Sequence, residues 1–156
     1  MNVHEKILLA AFVAALAPLS GGQAQEKKLK RDELPPAVEK TVAEQSKGAT
    51  IRGFTTEMEG GKRLYEVELV ANGHTKDISM DKQGNIVEVE EEVSLESLPS
   101  PVKDALTSAA GSGTLAKVES LTKKGKLVAY EADVKTGTKR SEIQVGPDGK
   151  KLAHPE

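Results

Sequence analysis

One stretch of this chain returns later in altered form. Leu34-Pro35-Pro36-Ala37-Val38 reappears as Leu98-Pro99-Ser100-Pro101-Val102, 64 residues on. Ile51 is answered by Leu115 at the same offset, and Tyr65-Glu66 by Tyr130-Glu131 at an offset of 65. Asn72-Gly73 corresponds to Thr136-Gly137, Ile78 to Ile143, and Gly84 to Gly149. Self-similarity at a fixed offset is the mark of a structural unit used more than once. It predicts two tandem units, residues 34–93 and 94–156.

The segment before them has a different character. Residues 1–24 read as a secretory signal peptide: Lys6 near the start, an apolar run from Ile7 to Ala17, and small residues around Gly22-Gln23-Ala24. The apolar run is too short to anchor a chain across a bilayer. Residues 25–33 are polar and charged, and read as a flexible lead-in. The sequence has no cysteine, which excludes disulfides, thiolate metal sites and thiol nucleophiles. An exported chain without disulfides suits a bacterial periplasm, so the expected location is periplasmic or secreted, with no stable membrane anchor once the signal is cleaved.

Within each unit the residue pattern predicts one helix followed by strands. Pro35 and Pro36 suit a first helical turn, where a missing N–H costs nothing. Val38, Thr41, Val42 and Gln45 then recur at helical spacing. In the second unit Ser100 is placed as N-cap and Pro101 as first helical residue, with Val102, Ala105, Leu106 and Ala109 as the apolar stripe. Strands are predicted over 51–58 and 115–122, then 64–71 and its counterpart around Val128 to Val134. Tyr65, Val67 and Leu69 alternate with Glu66 and Glu68, the pattern of a half-buried strand. Asn72-Gly73 is a strong hairpin signal. Third strands carry Ile78 and Met80, or Ile143 and Val145. Last strands are placed near 86–93 and 151–154. The predicted fold class is therefore α+β: two tandem repeats, each one helix packed on an antiparallel meander of about four strands. The two sheets could join edge to edge into one concave sheet.

The Leu-Pro-x-x-Val helix, the strand around Tyr65-Glu66-Val67 and the Asp-x-x-Gly turn at Asp81 to Gly84 resemble the PepSY domain. In particular they are similar to the PepSY-like group compared with the β-lactamase inhibitory protein. The resemblance covers about residues 30–155, in two copies. It implies an exported, non-enzymatic protein that binds or inhibits other proteins, with an envelope protein or a peptidase as partner.

One strand face meets the helix, and the other must meet solvent or a partner. By alternation that open face carries Glu66, Glu68, Asp77, Glu88, Glu90 and Glu92 in the first unit. In the second it carries Glu131, Asp133, Arg140, Glu142 and Gln144. The sequence has no tryptophan, and beyond the signal peptide only Phe54, Tyr65 and Tyr130 are aromatic. A face without aromatic anchors favours a charge-led contact. Residues 25–93 carry 11 Lys/Arg against 15 Asp/Glu, and residues 94–156 carry 10 against 8. Neither balance is the basic footprint that nucleic acid requires.

An alternative use of the acidic run Glu88, Glu90, Glu91 and Glu92, with Asp77 beside it, is to bind or sense a hard cation such as calcium, as an envelope-stress accessory protein would. No looped ligand spacing accompanies the run. His74 and His154 do not correspond in the repeat and read as surface residues. No serine lies in a Gly-x-Ser-x-Gly context. Carboxylates on exposed strands are expected to keep ordinary proton affinity, which disfavours acid–base catalysis. The sequence thus points to a non-enzymatic binding module without a cofactor.

Overall fold

The structure, a computed structural model, describes residues 26–156. The signal-peptide reading of residues 1–24 lies outside the described residues. In chain order the elements are β1 (Lys27–Leu29), a 3₁₀ turn (Arg31–Glu33), α1 (Pro36–Gln45), β2 (Thr50–Glu59), β3 (Lys62–Ala71), β4 (His74–Met80) and β5 (Ile86–Glu92). A second 3₁₀ turn (Leu95–Ser97), α2 (Ser100–Ala110), β6 (Thr114–Lys123), β7 (Lys126–Thr136) and β8 (Lys139–Val145) complete the described chain.

All eight strands form one antiparallel sheet in sequence order. This corrects the expected fold class of two repeats, each with its own helix and meander of about four strands. The described residues form a mostly β structure with one continuous sheet and two short helices, and among them five strands precede α2 while three come after it. The join is a regular strand pairing, from Glu88↔Lys123 to Glu92↔Glu119. It occurs because two separate sheets would each leave a row of unpaired N–H and C=O groups at that edge.

The strand count departs from four and four at both ends. The lead-in is not loose. Lys27–Leu29 pairs with Thr56–Phe54 of β2, and Leu29 packs against the core while Leu34 enters it. Arg31 clamps the turn by donating to Glu39 of α1 at 2.7 Å. At the other end the expected strand over 151–154 is reduced to a single bridge, Val145↔Lys151. Pro155, which has no N–H to donate, lies shortly beyond it.

Both helices begin at a proline-rich N-terminus, with Pro35 and Pro99 as the N-caps. Ser100 is therefore the first helical residue of α2 and not its cap. The helices lie on one face of the sheet, over two apolar clusters. The first joins Leu34, Val38 and Val42 to Tyr65, Val67, Leu69, Ile78 and Met80. The second joins Leu98, Val102 and Leu106 to Val118, Ala132 and Val145. Register places Glu91, Ser120 and Thr122 on this same face between the clusters. A polar strip thus divides the apolar side, while the opposite face runs unbroken across the sheet. No helix among the described residues is long and apolar enough to cross a membrane.

Candidate functional site: an acidic sheet face

Strand alternation puts every second side chain of β3 to β8 on the face away from the helices. Register then decides which of these side chains are neighbours. Glu68 lies opposite Asp77, and Asp77 opposite Glu90, so three carboxylates stand in one row across β3, β4 and β5. The next strands continue with Leu121 and Ala129, both buried. A second row runs Glu92, Glu119, Glu131 and Gln144 across β5 to β8. Glu66 sits in a third, between Thr55 and Ser79, with Glu88 and Lys123 beyond. Asp133 lies between Lys117 and Glu142.

All eleven residues placed on the open face from the sequence share it. They are not equally placed. Glu66, Glu68, Asp77, Glu88, Glu90, Glu92, Asp133 and Gln144 are half-buried, Glu131 is buried, and Arg140 and Glu142 are exposed. Glu91 belongs to the helix side, 3.5 Å from Lys76. His74 is exposed, with Nδ1 3.9 Å from Glu92.

Two residues that alternation alone did not supply complete the face. Glu119 is only 6 % exposed, and Lys117 Nζ lies 2.6 Å from its Oε1. A register shift between Leu115 and Lys117 interrupts the alternation of β6. A bulge of that kind re-aims every side chain beyond it, so these two could not be assigned a face from spacing. One oxygen each of Asp77, Glu90 and Glu119 lie within 4.8 Å of one another.

Like charges directly opposite on paired strands destabilise a sheet. Here burial adds to the repulsion. Desolvation, with Asp77 and Glu90 nearby, raises the Glu66 carboxyl to about 8. Desolvation raises Glu90 to about 8 as well, assisted by Glu131, Glu119, Glu88 and Asp77. Leu121, directly opposite Glu90, supplies an apolar neighbour in place of water. Glu131 is raised to about 8 by burial, against the pull of a 2.6 Å hydrogen bond donated by Gln144 Nε2. Asp77 reaches about 6, again through burial, with Lys117 opposing. Burial also raises Asp133 and Glu142. The expectation of ordinary proton affinity on exposed strands is therefore corrected. These strands are not exposed where it matters, because neighbouring side chains on the face exclude water from one another.

Several partners hold the remaining charges. Thr75 donates its N–H to Glu92 Oε2 at 2.9 Å and its hydroxyl to the same oxygen at 3.2 Å. Lys123 Nζ lies 3.4 Å from Glu88. The Glu156 N–H donates to Gln144 Oε1 at 2.9 Å, bringing the last described residue to the edge of the face. Chemically, this is a proton-holding acidic surface that favours anything able to bring positive charge to it.

No family model matches the chain, and no curated protein matches it. Solved structures of the same fold do exist. A DUF2874 family protein from Bacteroides ovatus ATCC 8483 is 20% identical, covering 78% of this chain and 86% of that one, at a TM-score of 0.60. A BLIP-like protein from Bacteroides fragilis NCTC 9343 is 22% identical over 76% of this chain and 83% of that one, at 0.56. A candidate periplasmic protein from Bacteroides eggerthii DSM 20697 is 16% identical over 75% and 84%, at 0.62. At these identities the likeness is one of fold.

Proposed function

We propose that this chain is an exported periplasmic binding module of the PepSY-like kind, which recognises a cationic protein surface through its acidic sheet face and performs no bond chemistry. The observation that carries this reading is the pair of carboxylate rows, Glu68–Asp77–Glu90 and Glu92–Glu119–Glu131. In the free protein these rows cost stability, and such local conflicts concentrate at functional sites. A partner that presents Lys or Arg converts the repulsion into attraction and releases protons from Glu66, Glu90 and Glu131. The BLIP-like and candidate periplasmic proteins of the same fold are in keeping with an exported binding role.

The Asp77, Glu90 and Glu119 cluster supports a second reading, a divalent cation held by carboxylate oxygens. Lys117 favours the first. Its ammonium already sits at Glu119, so the cluster accommodates a basic side chain, and a bare ion would have to compete with it.

Crosslinking capture from periplasmic extract, at low and moderate salt, tests the proposal. One enriched protein, lost in salt and lost in the Glu68→Gln/Glu90→Gln variant, is the expected result. Capture indifferent to both would remove the acidic face from the interaction. Calcium titration followed by thermal unfolding separates the second reading: a rise in Tm that depends on Asp77 would favour it.

A further inference from the structure

The two halves of the chain use the same turn to leave a sheet strand, and only the first builds a full strand after it. After β4, the Asp81 N–H donates to Asn85 O at 3.0 Å and the Gly84 N–H to Asp81 O at 2.9 Å. After β8, the Gly146 N–H donates to Lys150 O and the Gly149 N–H to Gly146 O, both at 2.8 Å. Each turn lies against its helix: a Cβ on Gly84 would strike the Ala37 carbonyl, and one on Gly149 the Pro101 carbonyl. Each then returns the chain to the strand it left, as Met80↔Ile86 and Val145↔Lys151.

From there the halves differ. In the first, the chain runs on as β5 and pairs with β4 from Ser79↔Glu88 to Lys76↔Glu91. Ile86 and Val89 pack on the core while Glu88 and Glu90 join the acidic face. In the second, no strand among the described residues comes after Lys151. The outer edge of β8 from Ser141 to Gln144 has no strand beside it among the described residues. Next to that edge lies a groove of about 600 Å³ between α2 and β8, lined by Ala105, Ser108, Ala109, Ile143, Val145 and Gly149.

We propose that the β8 edge and this groove accept an added strand from a partner protein, an extended segment in which apolar and basic residues alternate. Edge pairing supplies the main-chain hydrogen bonds, and side-chain alternation supplies the specificity. A strand laid antiparallel along β8, as β5 lies along β4, sends one set of side chains toward Ile143 and the small residues of α2. The other set emerges beside Glu142 and Gln144, next to Glu131 and Asp133, where basic residues meet opposite charge. A second copy of β8 is the poorer occupant, because antiparallel pairing over Ser141–Ile143 would set Glu142 directly against its own copy. The basic half of the alternation rests on the binding role proposed above; the edge and groove stand without it.

The test uses the full chain and an acetylated octapeptide of alternating Val and Lys. Its controls are the same composition as four Val then four Lys, and the alternating peptide N-methylated at every second residue. Hydrogen exchange should slow about tenfold or more over Ser141–Gln144 with the alternating peptide and with neither control. Ala109→Phe, at an exposed groove position, should weaken binding. Peptide binding that leaves exchange at Ser141–Gln144 unchanged would overturn the inference while leaving the acidic face as a binding surface. Absence of binding by the alternating peptide would also overturn it, whatever the outcome of the capture experiment. Protection of the same amides in a dimer of the chain alone would replace the partner with a second copy, and so overturn it too.

Discussion

Glu119 and Glu131 stand directly opposite each other on β6 and β7, 6 % and 8 % exposed. Burial is the main reason that Glu131 keeps its proton, with Glu142 and then Glu119 adding to it. The whole acidic face obeys the same logic. Its properties at neutral pH depend on which carboxyls keep their protons.

Stability should therefore fall as pH rises, opposite to the usual behaviour of salt-bridged acids. Glu66, Glu90 and Glu131 hold their protons in the folded state to about 8, against an ordinary value of 4.5. Between those values the unfolded chain binds fewer protons than the folded one, so each unit of pH favours unfolding. Below about 4.5 both states are protonated and this effect vanishes. We expect Tm at constant ionic strength to decrease from about pH 5 to pH 8 and then level off. A Tm that rises over that interval would contradict the burial described for these groups.

Replacing a buried acid by its neutral isostere should stabilise the protein where the acid would ionise. Glu90→Gln retains shape and removes the charge beside Asp77 and Leu121. One unit of pKa shift corresponds to about 1.4 kcal/mol, so a gain on the order of 1 kcal/mol is expected at about pH 8, shrinking toward pH 5. Urea unfolding at the two pH values measures it. An equal change at both would assign the effect to packing.

The two apolar clusters should unfold together, because one sheet carries both. Ile78 lies fully buried in the first and Leu106 in the second. Ile78→Ala and Leu106→Ala should each cost about 2–5 kcal/mol. Both should shift the same single transition, seen alike by circular dichroism and by tyrosine fluorescence. Two separated transitions would mean that the β5–β6 pairing does not couple the halves.

Gly84 and Gly149 should resist substitution. Their φ angles are +77° and +80°, and a methyl group at either would meet a helix carbonyl. Strain and clash together set an expected loss of about 1–3 kcal/mol for Gly84→Ala or Gly149→Ala. Thermal unfolding of the two variants provides the measurement, and neutrality in both would show that the turns do not touch the helices.

Local features were legible in the sequence because neighbouring residues decide them. Proline-led helices, the Asn72-Gly73 turn (φ 53° and 85°) and the alternation of β3 all depend on residues a few positions apart. The same alternation named eleven residues of the acidic face. The tertiary structure decided what local rules could not. It joined β5 to β6, made a strand of Lys27–Leu29, and left 151–154 with a single bridge. Each outcome depends on hydrogen bonds to a strand distant in sequence or on the lack of them. The bulge at Leu115 hid Glu119 and Lys117, since one extra residue reverses the face of every residue beyond it. Proton affinity was beyond the sequence for a related reason: Glu90 is acidic by its own chemistry, but its hold on a proton comes first from burial, with Leu121 opposite it, and then from Glu131, Glu119, Glu88 and Asp77 around it.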